Sequence, residues 1–107
     1  MKIKELLNTP DKWHKGHYAI DKNGNIVDSC DPIRDPNQEF QCYCLLGAAN
    51  RCYANDKIER HRVIDKMIDY IYQQNKGDIT YFDVPAFNDS HKTTFEDVRR
   101  MLETLDI

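Results

Sequence analysis

Hydrophobic residues between Asp56 and Asn75 recur at intervals of three and four positions, with charged residues between them. This spacing places the apolar side chains on one face of an α-helix. It predicts a long helix from Asp56 to Asn75, and Gly77 is a typical residue for its end. The expected apolar stripe consists of Ile58, Val63, Ile64, Met67, Ile68, Ile71 and Tyr72.

A similar periodicity predicts a last helix near the end of the sequence. Thr93 and Glu96 have the spacing of a capping box, in which a hydroxyl and a carboxylate three residues later satisfy amides of the first turn. The residues expected to face the core in this helix are Val98, Met101, Leu102 and Leu105.

A third helix is predicted from about Phe40 to Tyr53, because small and apolar residues recur there on one helical face. Gly47 lies within this run and reads as a point where another backbone approaches closely. The expected buried face consists of Cys44, Leu45, Ala48, Ala49 and Cys52.

The N-terminal part of the chain alternates turn signals with short β-prone runs. Thr9-Pro10-Asp11 predicts the start of a short helix that carries Trp13 and stops at Gly16, after a turn at Leu6 and Leu7. Asn23-Gly24 then predicts a β-hairpin. Its two strands are expected at residues 17–21 and 26–28.

The remaining segments complete an α+β pattern. Residues 29–39 hold two prolines and two aspartates and predict a surface loop. Residues 79–84 predict a third short strand that breaks at Pro85, and residues 86–91 predict a loop. We therefore expect residues 1–107 to form one α+β domain, in which a hairpin with a possible third strand packs on three to four helices.

Composition narrows the classes of partner. The 107 residues are 31% charged and 40% hydrophobic, with a formal net charge of −3. Basic residues are interspersed with acidic ones, so we expect no nucleic-acid binding. No run approaches the length of a membrane span or a signal peptide, so we expect a soluble cytoplasmic protein without a membrane partner, and reduced thiols.

Cys44 is the candidate nucleophile, since the first turns of a helix can lower the pKa of a thiol. A base is needed, and His17, His61 and His91 are available, with Asn88 or Asp89 to orient one of them. No signature of a cysteine hydrolase surrounds Cys44. The favoured interpretation is a small buried hydrophobic residue on the apolar face of the helix.

Metal binding is not expected. His14, His17, Cys42 and Cys44 are suitable zinc ligands, but their spacing lacks a C-x-x-C pair. The aspartates at positions 28, 31 and 35 lack the order of a calcium loop, so a solvated loop is favoured. We expect neither a metal nor another cofactor.

Asn88 and Asp89 precede the last helix, where such side chains commonly hold a loop by bonding nearby backbone. The functional alternative is a polar contact to a ligand, with Phe87 as an apolar wall. Together with Trp13, these residues form the candidate binding set, because aromatic residues are enriched in protein interfaces.

Five short motifs occur in a fixed order along the chain: Trp13-x-x-Gly16, Asp21-x-x-Gly24, Cys44-Leu45-Leu46-Gly47-Ala48, Phe87-Asn88-Asp89 and Thr94-x-x-Asp97-Val98. This order resembles a family of small uncharacterised bacterial and phage proteins with the pattern W-x-x-G, D-x-x-G, C-L-x-G-A, W-N-D, T-x-x-E-V. This chain departs mildly from the family pattern at two positions. Phe87 lies where the pattern has Trp, and Asp97 lies where it has Glu. The resemblance implies that Trp13, Cys44, Gly47, Asn88 and Asp89 belong to one structural unit, with Asn88-Asp89 near the Cys44 helix.

Two functional hypotheses follow. The first is a small non-enzymatic interaction protein, a phage-type accessory or inhibitor that binds a host protein through aromatic residues and acidic loops. The alternative is an enzyme or small-ligand pocket that uses Cys44, a histidine and Asn88 or Asp89. The first is favoured because the chain is small, its charge is mild and a catalytic signature is missing.

Overall fold

The computed structural model describes residues 1–75 and 83–107, which form an α+β fold. The three strands are β1 (Ala19–Asp21), β2 (Ile26–Val27) and β3 (Phe40–Tyr43). A single 3-10 turn spans Pro10–Lys12. The α-helices within these ranges are α1 (Ile3–Leu6), α2 (Cys30–Arg34), α3 (Leu45–Cys52), α4 (Lys57–Asn75), α5 (Val84–Asp89) and α6 (Phe95–Leu105).

The strands form an antiparallel sheet in the order β2-β1-β3. The predicted hairpin is confirmed: Ala19 faces Val27, and Ile20 faces Ile26. Gly24 has a φ of 84°, a conformation that suits glycine at this turn. Asp21 Oδ1 accepts hydrogen bonds from the amides of the turn at Asn23 and Asn25, which fixes the connection.

The prediction of one helix from Phe40 to Tyr53 is wrong in its first part. Phe40–Tyr43 is the strand β3, whose Tyr43 pairs with Ala19 of β1, and the helix α3 begins only after Cys44. Pairing with β1 satisfies the backbone groups that a helix would otherwise satisfy internally. Of the strand predicted at residues 79–84, positions 79–82 lie outside the described residues, and Val84 begins the helix α5.

The long helix is confirmed as α4, but its apolar stripe is shorter than predicted. Val63, Met67 and Ile71 are buried in the core. Ile58 and Tyr72 were expected in the same stripe, yet they are 77% and 67% exposed. Tyr72 directly follows the buried Ile71 and lies about 100° further round the helix, so it faces solvent.

The last helix is confirmed as α6, with Val98, Met101 and Leu102 buried. Its capping box lies one residue later than predicted. Thr94 is the N-cap, and its hydroxyl accepts from Asp97 N while the Asp97 carboxylate accepts from Thr94 N. Thr93, the expected cap, is buried instead.

Two segments predicted as loops contain helices. Residues 29–39 include α2, whose N-cap Ser29 accepts a hydrogen bond from Asp31 N. Residues 86–91 overlap α5, whose N-cap Asp83 accepts from Ala86 N. Both helices are about a turn or two long, which is too short for hydrophobic periodicity to detect.

The predicted first helix is reduced to the 3-10 turn, which ends before Trp13. Trp13 forms a parallel bridge with Tyr43, and His14 N donates to Tyr43 O at 2.9 Å. The chain at Trp13 and His14 therefore meets the end of the edge strand β3. Gly16 has a φ of 96°, which allows the sharp change of direction there.

Helix α3 lies at the centre of the fold and contacts β3 and the helices α1, α2, α4 and α5. Gly47 permits this packing, because a Cβ atom at this position would lie 2.0 Å from Tyr18 O. The start of α3 therefore meets the beginning of β1 and the end of α5. Within the described residues, no helix combines the length and apolarity that a membrane span requires.

Candidate functional site

Asn88, at the end of α5, joins three separate parts of the chain through its buried side chain. Its Oδ1 atom accepts from Trp13 Nε1 at 2.7 Å and from Leu45 N at 3.0 Å. Its Nδ2 atom donates to His14 O at 3.0 Å and to Asp89 Oδ1 at 2.8 Å. All the hydrogen-bonding capacity of the amide is thus used within the protein.

Asp89 and Lys15 extend these connections. Asp89 Oδ1 also accepts from Gly16 N at 2.9 Å. Lys15 Nζ donates to the carbonyl oxygens of Ser90 and Thr93 at 2.7 and 2.8 Å. The expectation that Asn88-Asp89 lies against the Cys44 helix is confirmed by the bond from Leu45 N. The residues of three of the quoted motifs meet at this point.

A cleft of about 210 Å³ opens beside this hydrogen-bonded cluster. Its polar residues include two exposed aspartates, Asp28 and Asp89, together with His17 and Tyr18. Leu46 and Pro85 supply apolar walls. The complete lining is Gly16, His17, Tyr18, Asp28, Cys44, Leu46, Pro85, Asn88 and Asp89.

Cys44 lines this cleft, but its environment favours the neutral thiol. It is the N-cap of α3, and its Sγ atom accepts a hydrogen bond from Gly47 N at 3.2 Å. Burial raises the pKa of the Cys44 thiol to about 11, although the amides of Gly47 and Leu46 oppose the rise. Desolvation of a thiolate therefore outweighs its stabilisation by the helix start.

His17 is the only predicted histidine base that the described residues bring to the cleft. Its Nδ1 atom lies 3.4 Å from His14 Nε2. The ring planes meet at 22° and the ring centroids are 5.6 Å apart. The separation of the ring centroids is longer than the N···N distance. The difference is about twice the distance between a ring nitrogen and the centroid of its own ring. The two nitrogens therefore point at each other, and the rings lie edge to edge.

The structure separates the other candidates from the cleft. His91 is exposed in the turn between α5 and α6 and is absent from the cleft lining. Phe87 faces a different depression, of about 190 Å³, with Tyr70 and Ile71. Trp13 is half-buried, with its ring 6.4 Å from Phe95 and Lys15 Nζ 5.2 Å above it.

Sequence reasoning did not assign Tyr18, Leu46 or Pro85 to a site. Asp28 was considered only as a cation ligand, and Gly16 only as a turn former. These residues come together because β1, the start of α2 and α5 converge on the start of α3, which no local pattern encodes. Within the described part of the chain, no group of three or more histidine, cysteine or acidic residues is placed to hold a metal ion.

Comparison with known protein families finds one family whose sequence model matches residues 2–105. The chain belongs to DUF6197, a family of unknown function. The DUF6197 match includes every residue that lines the cleft, and it confirms the expected kinship with proteins of unknown function. Neither the curated proteins nor the solved structures contain a match to this DUF6197 chain.

Proposed function

We propose that this protein is a small non-enzymatic interaction protein that receives a basic side chain of a partner protein in the cleft beside Cys44. The observation that carries the proposal is the charge of the cleft. Asp28 and Asp89 both line it, and neither lysine nor arginine is among the described residues of its lining. Two carboxylates at one opening attract and orient a cationic group.

The apolar walls fit the rest of such a side chain. Lysine and arginine carry aliphatic stems that pack on apolar surface while the charged head contacts polar groups. Leu46 and Pro85 are placed to contact the stem, and Tyr18 and the two aspartates to contact the head. The phage-type role as an accessory or inhibitor of a host protein is part of this proposal.

The volume of the cleft also favours a single side chain over a cofactor or metabolite. Pockets for drug-sized molecules usually hold roughly 300 Å³ or more. The cleft holds about 210 Å³. Because all hydrogen-bonding groups of the Asn88 side chain bind within the protein, we assign Asn88 to fixing the geometry of the cleft. In this proposal the partner contacts Asp28, Asp89 and Tyr18.

Photo-cross-linking tests this proposal. Tyr18 lines the cleft, and Tyr72 is 67% exposed on α4, so each is replaced in turn by p-benzoylphenylalanine as a matched pair. We expect the position-18 variant to form an adduct with a protein of the host lysate at a segment containing lysine or arginine. We expect the adduct to weaken when Asp28→Asn is added, because one carboxylate is lost.

Two outcomes would overturn the proposal. One is equal cross-linking from positions 18 and 72, since the cleft would then have no preference over an unrelated surface. The other is an adduct at position 18 that is insensitive to Asp28→Asn, because the charge of the cleft would then play no part in binding.

The alternative function is a thiol enzyme, favoured by the presence of Cys44, His17, Asn88 and Asp89 at one cleft. The raised pKa of Cys44 and its hydrogen bond from Gly47 N weigh against a reactive thiolate. Rapid alkylation of native Cys44 near neutral pH would favour this alternative over the interaction protein.

A further inference from the structure

We infer that the His14–His17 pair makes occupation of the cleft pH-dependent, because His17 lines the cleft together with Asp28 and Asp89. This inference rests on the proposed function, since it concerns regulation of the same cleft. His17 supplies the link: it lines the cleft and at the same time faces His14 through its Nδ1 atom.

The edge-to-edge geometry restricts how many protons the pair holds. With one proton between His14 Nε2 and His17 Nδ1, one ring donates and the other accepts. With a second proton on the facing nitrogens, two N–H groups and two positive charges would point at each other. The pair therefore keeps its contact when neutral or singly charged, and loses it when both rings are charged.

Hydrogen bonds hold the backbone segment that carries the pair. His14 N donates to Tyr43 O, and His14 O accepts from Asn88 Nδ2. Gly16 N donates to Asp89 Oδ1. A charge on His17 is therefore carried by an ordered segment of the cleft lining.

The titratable and charged groups facing the pair come from several segments. Asp89 of α5 and Asp28 after β2 are the acidic neighbours, while Tyr18 and Cys44 share the cleft lining. Lys15 directs its ammonium to the carbonyls of Ser90 and Thr93. Burial lowers the pKa of His14, and His17 lowers it further, whereas Asp89 opposes the shift.

Protonation of His17 adds a positive charge to the lining that it shares with Asp28 and Asp89. That charge neutralises part of the field that attracts a lysine or arginine head. Binding a basic group in turn disfavours protonation by the same factor, because linkage is reciprocal. Affinity for a basic side chain therefore falls as the pH is lowered and imidazole takes up a proton.

The test uses Nα-acetyl-lysine methylamide as the probe and Nα-acetyl-norleucine methylamide as its uncharged counterpart. Binding is followed by amide NMR shifts of Gly16, Tyr18 and Leu46 between about pH 5 and pH 8, where aspartates stay ionised. We expect the lysine probe to bind roughly tenfold more weakly at the acidic end. The norleucine probe is expected to bind poorly throughout.

Variants assign the effect to the pair. His17→Gln is expected to bind the lysine probe with a weaker pH dependence than the wild-type protein, because the histidine that lines the cleft is removed. His14→Gln is expected to keep a pH dependence with a displaced midpoint, because His17 loses its partner. His61→Gln removes an exposed histidine of α4 and serves as the control, with a wild-type profile expected.

The outcomes separate this inference from the proposed function. If the lysine probe binds the wild-type protein equally at all these pH values, or if His17→Gln keeps the wild-type profile, the inference is overturned and the basic-group cleft stands. If the lysine probe binds at no pH, both are overturned. Ring ¹⁵N signals of the ligand-free wild-type protein give a second readout, in which one facing nitrogen is expected to be a donor and the other an acceptor.

Discussion

At the scale of single residues, Asn88 has the largest structural consequence of the side chains around the cleft. It is 1% exposed and bonds to the Trp13 indole, the Leu45 amide and the His14 carbonyl. The sequence drew attention to Asn88-Asp89 but left open whether these residues hold a loop or bind a ligand. The hydrogen bonds assign Asn88 to holding the fold and leave Asp89 at the exposed edge of the cleft.

Replacing Asn88 with alanine is expected to destabilise the protein by about 2–4 kcal/mol, because several partly buried polar groups lose their partner at once. The measurement is the free energy of unfolding in urea. Asn55→Ala removes an exposed asparagine and is expected to change this energy by about 0.5 kcal/mol or less. Equal values for the two variants would contradict the central role of Asn88.

Thiol reactivity is a second property of single residues. Burial raises the pKa of both Cys44 and Cys52 to about 11, so little thiolate forms at neutral pH in the native state. We expect iodoacetamide to label Cys44 much more slowly in the folded protein than in urea, where all four thiols are exposed. Peptide mass spectrometry at each time point measures the individual rates.

The same raised pKa values predict a loss of stability at high pH. The folded state keeps these thiols protonated, so the unfolded state releases protons first as the pH rises above 9. Stability is therefore intact below that pH and falls as the pH approaches about 11. In the labelling experiment, Cys44→Ser is the control. It is expected to remove the signal of Cys44 and to leave the labelling of the other thiols unchanged.

At the scale of secondary-structure elements, the packing of α3 against the start of β1 positions the cleft. Gly47 allows this contact, and the sequence correctly indicated a close approach at this residue. What the sequence did not indicate is the partner, the Tyr18 carbonyl, which lies far away along the chain. Because Phe40–Tyr43 is a strand, the helix starts only at Leu45, and Cys44 is its N-cap.

We expect Gly47→Ala to destabilise the protein, although replacing glycine with alanine in a helix usually stabilises it. In an open helix position it stabilises by about 1 kcal/mol. Here the added Cβ would lie 2.0 Å from a backbone oxygen, so the elements must separate. We expect a loss of about 3 kcal/mol in the free energy of unfolding.

Gly24→Ala is the comparison for that prediction. Gly24 has a positive φ of 84°, but open space surrounds the position of its missing Cβ. Its expected cost is about 1 kcal/mol, from backbone conformation alone. A Gly47→Ala variant as stable as the wild-type protein would rule out the tight approach of α3 to Tyr18.

At the scale of the whole molecule, the two ends of the described chain are joined. Lys4 N of α1 donates to Ile107 O, and Ile107 is 3% exposed. Asp106 accepts from Lys2 Nζ at 2.8 Å and from Lys4 Nζ at 2.5 Å. These contacts bring α1 against α6, a pairing of distant segments that local sequence patterns do not reveal.

Asp106→Asn tests this connection. The ammonium groups of Lys2 and Lys4 lower the pKa of Asp106 to about 2, so its contribution to stability is present above about pH 4 and is lost as the pH falls towards 2. We expect the variant to melt at a lower temperature than the wild-type protein at neutral pH and low salt. The difference should shrink in high salt and vanish near pH 2.

This substitution does not alter the backbone conformation that position 106 prefers. Asp106 has a φ of 54°, and asparagine tolerates this left-handed conformation as well as aspartate does. Asp65→Asn, at an exposed position of α4, provides the charge-matched control. If both variants melt alike at every pH, the ion pairs do not join the ends of the chain.

The sequence by itself determined the parts of this protein that rest on local physics. Hydrophobic periodicity predicted α4 and α6, Asn-Gly predicted the hairpin, and these elements together gave the α+β class. Local patterns failed where elements are short: α2 and α5 were missed, and β3 was absorbed into a helix because its few residues fit the helical period of the run that follows.

Only the tertiary structure decided what the motifs do. It brought Trp13, Leu45 and Asn88 into one hydrogen-bonded cluster, set Asp28 and Asp89 on one cleft, and left His91 and Phe87 outside it. The physical reason is that hydrogen bonding and charge depend on distance in space, whereas spacing along the chain fixes distance only within a single helix, strand or turn.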